Sequence, residues 1–170
     1  MVEDVLSGRH TCRMVGYHIR GAGPAATKGI PMIKELVKDE AILSQVCEKA
    51  TPADADIAQD LIDTASSLED CSCLAANQIG VTKAVVVYFD DDEEAHVLYN
   101  PKVLMGIRPS RTVEGCMTRD EYSKVTRYAK IKVSYDELVD GEFVARRRDY
   151  TGWIAQMIQH MCDHCKGKLV

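Results

Sequence analysis

Thr151-Gly152-Trp153-Ile154-Ala155-Gln156-Met157-Ile158-Gln159-His160-Met161-Cys162-Asp163-His164-Cys165 reads as one helix, with Gly167 placed just beyond it to stop it. Within it His160 and His164 stand four residues apart, so one turn stacks both imidazoles on one face, about 6 Å apart at the backbone. That spacing lets two ring nitrogens reach one divalent ion at about 2.0–2.1 Å each. An isolated H-x-x-x-H pair also occurs on ordinary helix surfaces and in cores. A third donor is needed to make it a site.

Upstream of this helix the periods are those of strands. Ala129 to Tyr135 alternates Ile131, Val133 and Tyr135 with Lys130, Lys132 and Ser134, the period of a half-buried strand. Asp140-Gly141 is a hairpin turn leading to a strand near 142–147. Val97 to Asn100 and Lys102 to Ile107 read as two short strands separated by Pro101. Ala84 to Phe89 is another, ended by Asp90-Asp91-Asp92. Further back, Thr51-Pro52-Ala53-Asp54 supplies a cap, a proline at the first helical position and an acid in the first turn. Ile57, Leu61, Ala65 and Leu68 then recur at helical spacing, predicting an amphipathic helix over 52–68. Strands closed by one helix define an α+β domain.

A third donor stands in Val113-Glu114-Gly115-Cys116-Met117-Thr118, where a cysteine follows a glycine that lets the backbone turn closely. One thiolate and two imidazoles form a three-ligand set that leaves a fourth position for water. Taken alone, Cys116 would read as a small buried hydrophobe. In Cys71-Ser72-Cys73-Leu74-Ala75-Ala76-Asn77-Gln78, small residues suit close packing, and the Gln78 amide can donate to a developing oxyanion. Without context this stretch is an apolar strand with a polar end.

Together and in this order, the three segments resemble the peptide deformylases, whose motifs are G-x-G-x-A-A-x-Q, E-G-C-x-S and Q-H-E-x-x-H. The resemblance covers residues 32–170, and Met32-Ile33-Lys34 looks like a common start for the family. It implies an α+β fold with antiparallel β-sheets packed around a central C-terminal helix that carries both histidines. It also implies removal of the formyl group from the N-terminal methionine of nascent chains, using water activated by one divalent metal. The ion is Fe2+ or Zn2+, with Ni2+ or Co2+ as substitutes. By position, Cys116, His160 and His164 would bind it, and Gln78 with the Met117 backbone N–H would polarise the formyl oxygen. Ser72 and Cys73 would pair with an extended substrate, bordered by Glu114 and Gly115. Trp153, Gln156 and Met157 would line the pocket for the substrate's methionine.

The sequence departs from that pattern at several points. The family's glutamate follows the first histidine, and here that position holds Met161, whose thioether cannot move a proton. General acid–base catalysis typically contributes about 10²–10⁴-fold, so deformylation is expected to be weak or lost. Cys162 lies about 100° further round the helix, and Asp163 matches an aspartate with a supporting role. Both motif glycines are cysteines, which is costly if either position needs φ > 0. Cys73 reads as a buried inert thiol or as an extra soft ligand. Trp153 and Gln156 read as a smaller, more polar pocket or as ordinary packing. The other functions open to such a chain are a non-catalytic metal-binding or peptide-end-binding module, or a thiol or metal sensor.

Composition narrows the setting. With 170 residues, 46% hydrophobic and 28% charged, the chain has the make-up of one folded domain. A net charge of −5 argues against sequence-independent nucleic-acid binding. No run of 18 or more apolar residues is present, which excludes a transmembrane helix on length. Seven cysteines without a secretory signal fit a reducing cytoplasm, where thiols stay free or bind metal. Residues 1–31 carry a net charge of +2 and several helix breakers. They read as an irregular extension, either a targeting segment or the product of an upstream start before Met32. The oligomeric state is not readable from the sequence.

Overall fold

The computed structural model describes residues 31–170, and the expected extension over 1–31 falls, apart from Pro31, outside the described residues. The elements are α1 (Glu40–Leu43), α2 (Ala55–Ser67), β1 (Cys73–Ala75), β2 (Val85–Phe89), β3 (Ala95–Cys116), β4 (Arg119–Val139), β5 (Glu142–Thr151) and α3 (Gly152–Cys165). The strands form one antiparallel sheet in the order β1-β2-β3-β4-β5. This is an α+β fold.

Alternation along β2 divides the interior in two. Val86 and Tyr88 face a core that includes Ile131, Val133, Ala155, Ile158 and Met161, the inner face of α3. Val85 and Val87 face the other way, toward Ala58, Leu61 and Ala65 of α2. Successive side chains on a strand point to opposite faces, so a run of five apolar residues serves both helices. The helix expected over 52–68 begins as a 3-10 turn, Pro52–Asp54, before α2. Its start is tied by the Asp54 carboxylate, which accepts from the Thr51 N–H at 2.7 Å and the Thr51 hydroxyl at 2.9 Å.

Two strand boundaries differ from the sequence expectation. Pro101 does not separate two strands: 97–100 and 102–107 are parts of the single strand β3. Proline has no N–H to give the ladder, and the register shifts between Tyr99 and Lys102, as at a bulge. Asn100 absorbs the distortion at φ 52. Its side chain accepts from Ala50 N–H at 2.7 Å and donates to Ala50 O at 3.1 Å and Asp136 Oδ2 at 2.8 Å. The strand expected over 129–135 extends over the whole of Arg119–Val139. Its N-terminal half pairs with β3 in a long hairpin, largely open to solvent on both faces, where side chains need not alternate.

Asp140 and Gly141, both at positive φ, make the turn from β4 to β5 as a two-residue hairpin loop requires. Gly167, at φ 68, follows α3, and a Cβ there would collide with the Ser44 carbonyl. The segment over residues 37–48 therefore presses closely on the end of the helix. It also bonds Val37 N–H to Gln78 O at 2.8 Å and Cys47 N–H to Cys165 O at 2.9 Å.

Candidate metal centre

Three segments distant in sequence meet at one point. α3 presents His160 and His164, whose Nε2 atoms lie 3.2 Å apart. Cys116 ends β3 and puts its Sγ 3.3 Å from His164 Nε2. These three donors form a group that could hold an ion. Four-coordinate bonds of about 2.0–2.1 Å to nitrogen and about 2.3 Å to sulfur hold donor pairs about 3.3–3.6 Å apart. The observed spacings of 3.2 and 3.3 Å lie at or just below the short end of that range, so the side chains need open only slightly to hold a single metal ion.

The third segment is the 3-10 turn Ala76–Ile79. Gln78 is fixed by its Oε1, which accepts the Ala75 N–H at 3.0 Å, so its amide NH2 faces Cys116 Sγ at 3.5 Å and Thr118 Oγ1 at 3.4 Å. Thr118 Oγ1 lies 3.1 Å from Cys116 Sγ. Behind Gln78, the Asn77 amide donates to His164 O at 3.1 Å.

Glu114 is turned inward. Its carboxylate accepts two bonds from Arg127, Nε at 2.8 Å and Nη2 at 2.6 Å, one from Gln156 Nε2 at 2.9 Å, and meets His160 Nδ1 at 2.9 Å. Although Glu114 borders the pocket, this leaves it orienting His160 from behind. Arg127 also bonds Asp163 Oδ2 at 2.7 Å, which Lys168 reaches at 3.1 Å. Arg127 escaped the sequence reading. It lies in a strand pattern with no sign that its guanidinium turns inward, and only 6% of its surface is exposed.

The charges reinforce one another. Burial would raise the Cys116 thiol, but His160, His164 and Thr118 outweigh it and draw the thiol down to about 5. Burial likewise opposes charge on His160, yet Cys116 and Glu114 lift it to about 9. Glu114 falls to about 2 against its own burial, because Arg127 and His160 both favour the carboxylate. Both shifts favour charge, a thiolate at Cys116 and a charged ring at His160.

A pocket of about 410 Å³ opens beside it. Ser72, Cys73, Gly115 and Met117 border it, and Trp153, Gln156, Met157 and Met161 line it from α3. Trp153 is exposed, whereas Met161 is buried and also packs in the core. Among the described residues β1 has a strand neighbour on one side only, next to Ser72, whose carbonyl accepts from Phe89 N–H. Neither Cys71 nor Cys73 has positive φ, so their side chains bring no backbone strain. Burial raises the thiols of both, Cys71 to about 11.

With this geometry, comparison with known proteins is direct. Residues 33–170 match the family model described as polypeptide deformylase. A peptide deformylase of Clostridium beijerinckii is 38% identical over 140 residues, covering 82% of this chain and all of that one. Peptide deformylase 2 of Vibrio cholerae is 35% identical over 113 residues, 65% of this chain and 66% of that one. Among solved structures, the Legionella pneumophila deformylase superposes with a TM-score of 0.69 at 27% identity, over 81% of this chain and 83% of that one. The Thermus thermophilus enzyme gives 0.70 at 25%, over 81% and 82%. The chain belongs to the polypeptide deformylase family. Members of that family act on formylated nascent peptides. Among the described residues, no helix is long and apolar enough to cross a membrane.

Proposed function

We propose that residues 32–170 are a deformylase domain that holds one metal ion through Cys116, His160 and His164 and has weak or no deformylase activity. The observation that carries this reading is a three-donor cluster with no free carboxylate beside it among the described residues. Both oxygens of Glu114 are committed to Arg127, His160 and Gln156. Asp70, the other acid bordering the pocket, is exposed and outside the donor group. Met161 stands at the position where the family motif has its glutamate, and a thioether neither accepts nor delivers a proton.

An ion bound there would supply Lewis acidity toward a carbonyl and its attacking water. The chain's own residues would do the rest. Gln78 Nε2 and the Met117 N–H donate to the formyl oxygen. Glu114 fixes the ring of His160, and an extended peptide lies against the free side of β1. The step left without a residue is proton delivery to the departing amine. Fe2+ or Zn2+ fits a set of one thiolate and two imidazoles, as do Ni2+ and Co2+. A formylated peptide or nascent-chain N-terminus is the ligand by family, and a cytoplasmic setting follows from that ligand.

A formyl-Met peptide assay on metal-loaded protein tests the reading. We expect turnover at least about 10²-fold below an ordinary deformylase, and Met161→Glu to recover at least about 10²-fold. Wild-type turnover within about tenfold of an ordinary enzyme, abolished by Asp70→Asn, would instead give the proton transfer to Asp70. If Met161→Glu recovers nothing while metal is bound, the non-catalytic reading, a metal-binding or peptide-end-binding module, is the one that stands.

A further inference from the structure

Sulfur is concentrated around the centre. Of the fifteen residues lining the pocket, six carry it: Cys71, Cys73, Cys116, Met117, Met157 and Met161. The chain as a whole has seven cysteines and seven methionines among 170 residues, under a tenth, so the pocket holds several times its share. Carboxylates are few in the same space: Glu114 is held by Arg127, and Asp70 is exposed.

Ligand softness decides which ion such a site prefers. Thiolate and thioether select soft ions, monovalent copper foremost, whereas carboxylate and water suit harder ones. The donor group of Cys116, His160 and His164 already contains one thiolate. Met161 follows His160 directly and precedes His164 by three residues, which places it one turn from the second ligand on the same side of α3. It lines the same pocket as Cys116 and His160, packs in the core cluster and is 1% exposed. A carboxylate at that place would hold water beside the ion. A buried thioether excludes water and offers sulfur.

We propose that the centre prefers monovalent copper to the divalent ions, with the Met161 thioether as fourth donor to Cys116, His160 and His164. This rests on the three-residue metal centre proposed above and goes beyond it in naming the ion class and the fourth donor. Copper enters as Cu+ under reducing conditions, so no electron is transferred on binding. Cu+ is a poor activator of water, which agrees with a site that lacks a proton-transfer group. Cys71 and Cys73 lie outside the tight donor group and are not assigned to the bound ion.

The test is anaerobic competition of the full chain against a Cu+ chelator, alongside Zn2+ titration, for wild type, Met161→Leu and the double variant Cys71→Ser/Cys73→Ser. We expect Met161→Leu to weaken Cu+ by at least about tenfold and change Zn2+ by less than about threefold, because leucine fills the space without the sulfur. The double variant should leave Cu+ within about threefold of wild type. X-ray absorption at the copper edge should count two sulfur neighbours in wild type and one in Met161→Leu. Unchanged Cu+ affinity and sulfur count in Met161→Leu overturn the proposal while leaving the three-residue centre in place. So does a loss of copper confined to the double variant. If neither Cu+ nor Zn2+ is lost when Cys116→Ser is combined with His164→Ala, the underlying metal-centre reading fails with it.

Discussion

At the scale of single residues, Glu114 governs the electrostatics of the site. Its pKa drops from the usual 4.5 to about 2, so its contribution to stability is fully present above about 4.5. That contribution disappears as pH falls through about 2, when the folded protein must also take up the proton. Glu114→Gln breaks a buried pair from one side and leaves Arg127 only its bond to Asp163, for which a loss of about 3 kcal/mol is expected at neutral pH. Urea unfolding of both proteins from pH 7 to pH 2 should show that gap closing in acid. A gap that stays constant would mean that the carboxylate's charge is not what matters. His160 and Cys116 supply a second pH dependence. With the imidazole at about 9 and the thiol at about 5, metal uptake at neutral pH must expel at least one proton, because only neutral imidazole ligates. The logarithm of affinity should therefore rise by at least about one per pH unit between those values and more steeply below the lower one. Calorimetric titration in buffers of different ionisation enthalpy counts the protons directly.

At the scale of elements, the β3 bulge shows what was hard to read in the sequence and why. Pro101 is correctly a residue that breaks a ladder, but a break in pairing is not the end of a strand when pairing resumes one residue on, at Lys102. Asn100 anchors the bulge by tying its side-chain amide to Ala50 and Asp136 at a positive φ that asparagine tolerates. Asn100→Ala should cost about 2–4 kcal/mol in chemical denaturation, from two backbone groups of Ala50 left unpaired and a strained φ. Asn100→Gly, which relieves only the strain, should recover part of the loss. The β3–β4 hairpin escaped sequence reading for a related reason: period-2 alternation marks a strand only where one face is buried. By contrast, the ends of α3 and the turn at Asp140-Gly141 were legible, because caps and tight turns are set by local chemistry.

At the scale of the whole molecule, one sheet serves two cores, and the proposed metal centre sits where three chain segments converge: the end of β3, the 76–79 turn and α3. The histidine pair and the motif cysteine were legible as ligand types, but their meeting depends on a register that spans the long hairpin. The inward carboxylate, its arginine and the segment over residues 37–48 left no such trace. Because the donors come from separate segments, an ion should act as a cross-link that exists only in the folded state. Binding to the native protein alone stabilises it by RT ln(1 + [L]/Kd), about 4 kcal/mol at a thousandfold excess over Kd. Chelation should therefore lower the thermal midpoint by several degrees, and restoring metal should raise it again. Cys116→Ser should have a lower midpoint than the metal-loaded wild type and show little shift in either direction. The two proteins should then converge in excess chelator, apart from the local cost of the substitution. An equal metal-dependent shift in Cys116→Ser would mean that the stabilising ion binds somewhere else, for instance at the Asp90, Glu94 and His96 group on the β2–β3 connection.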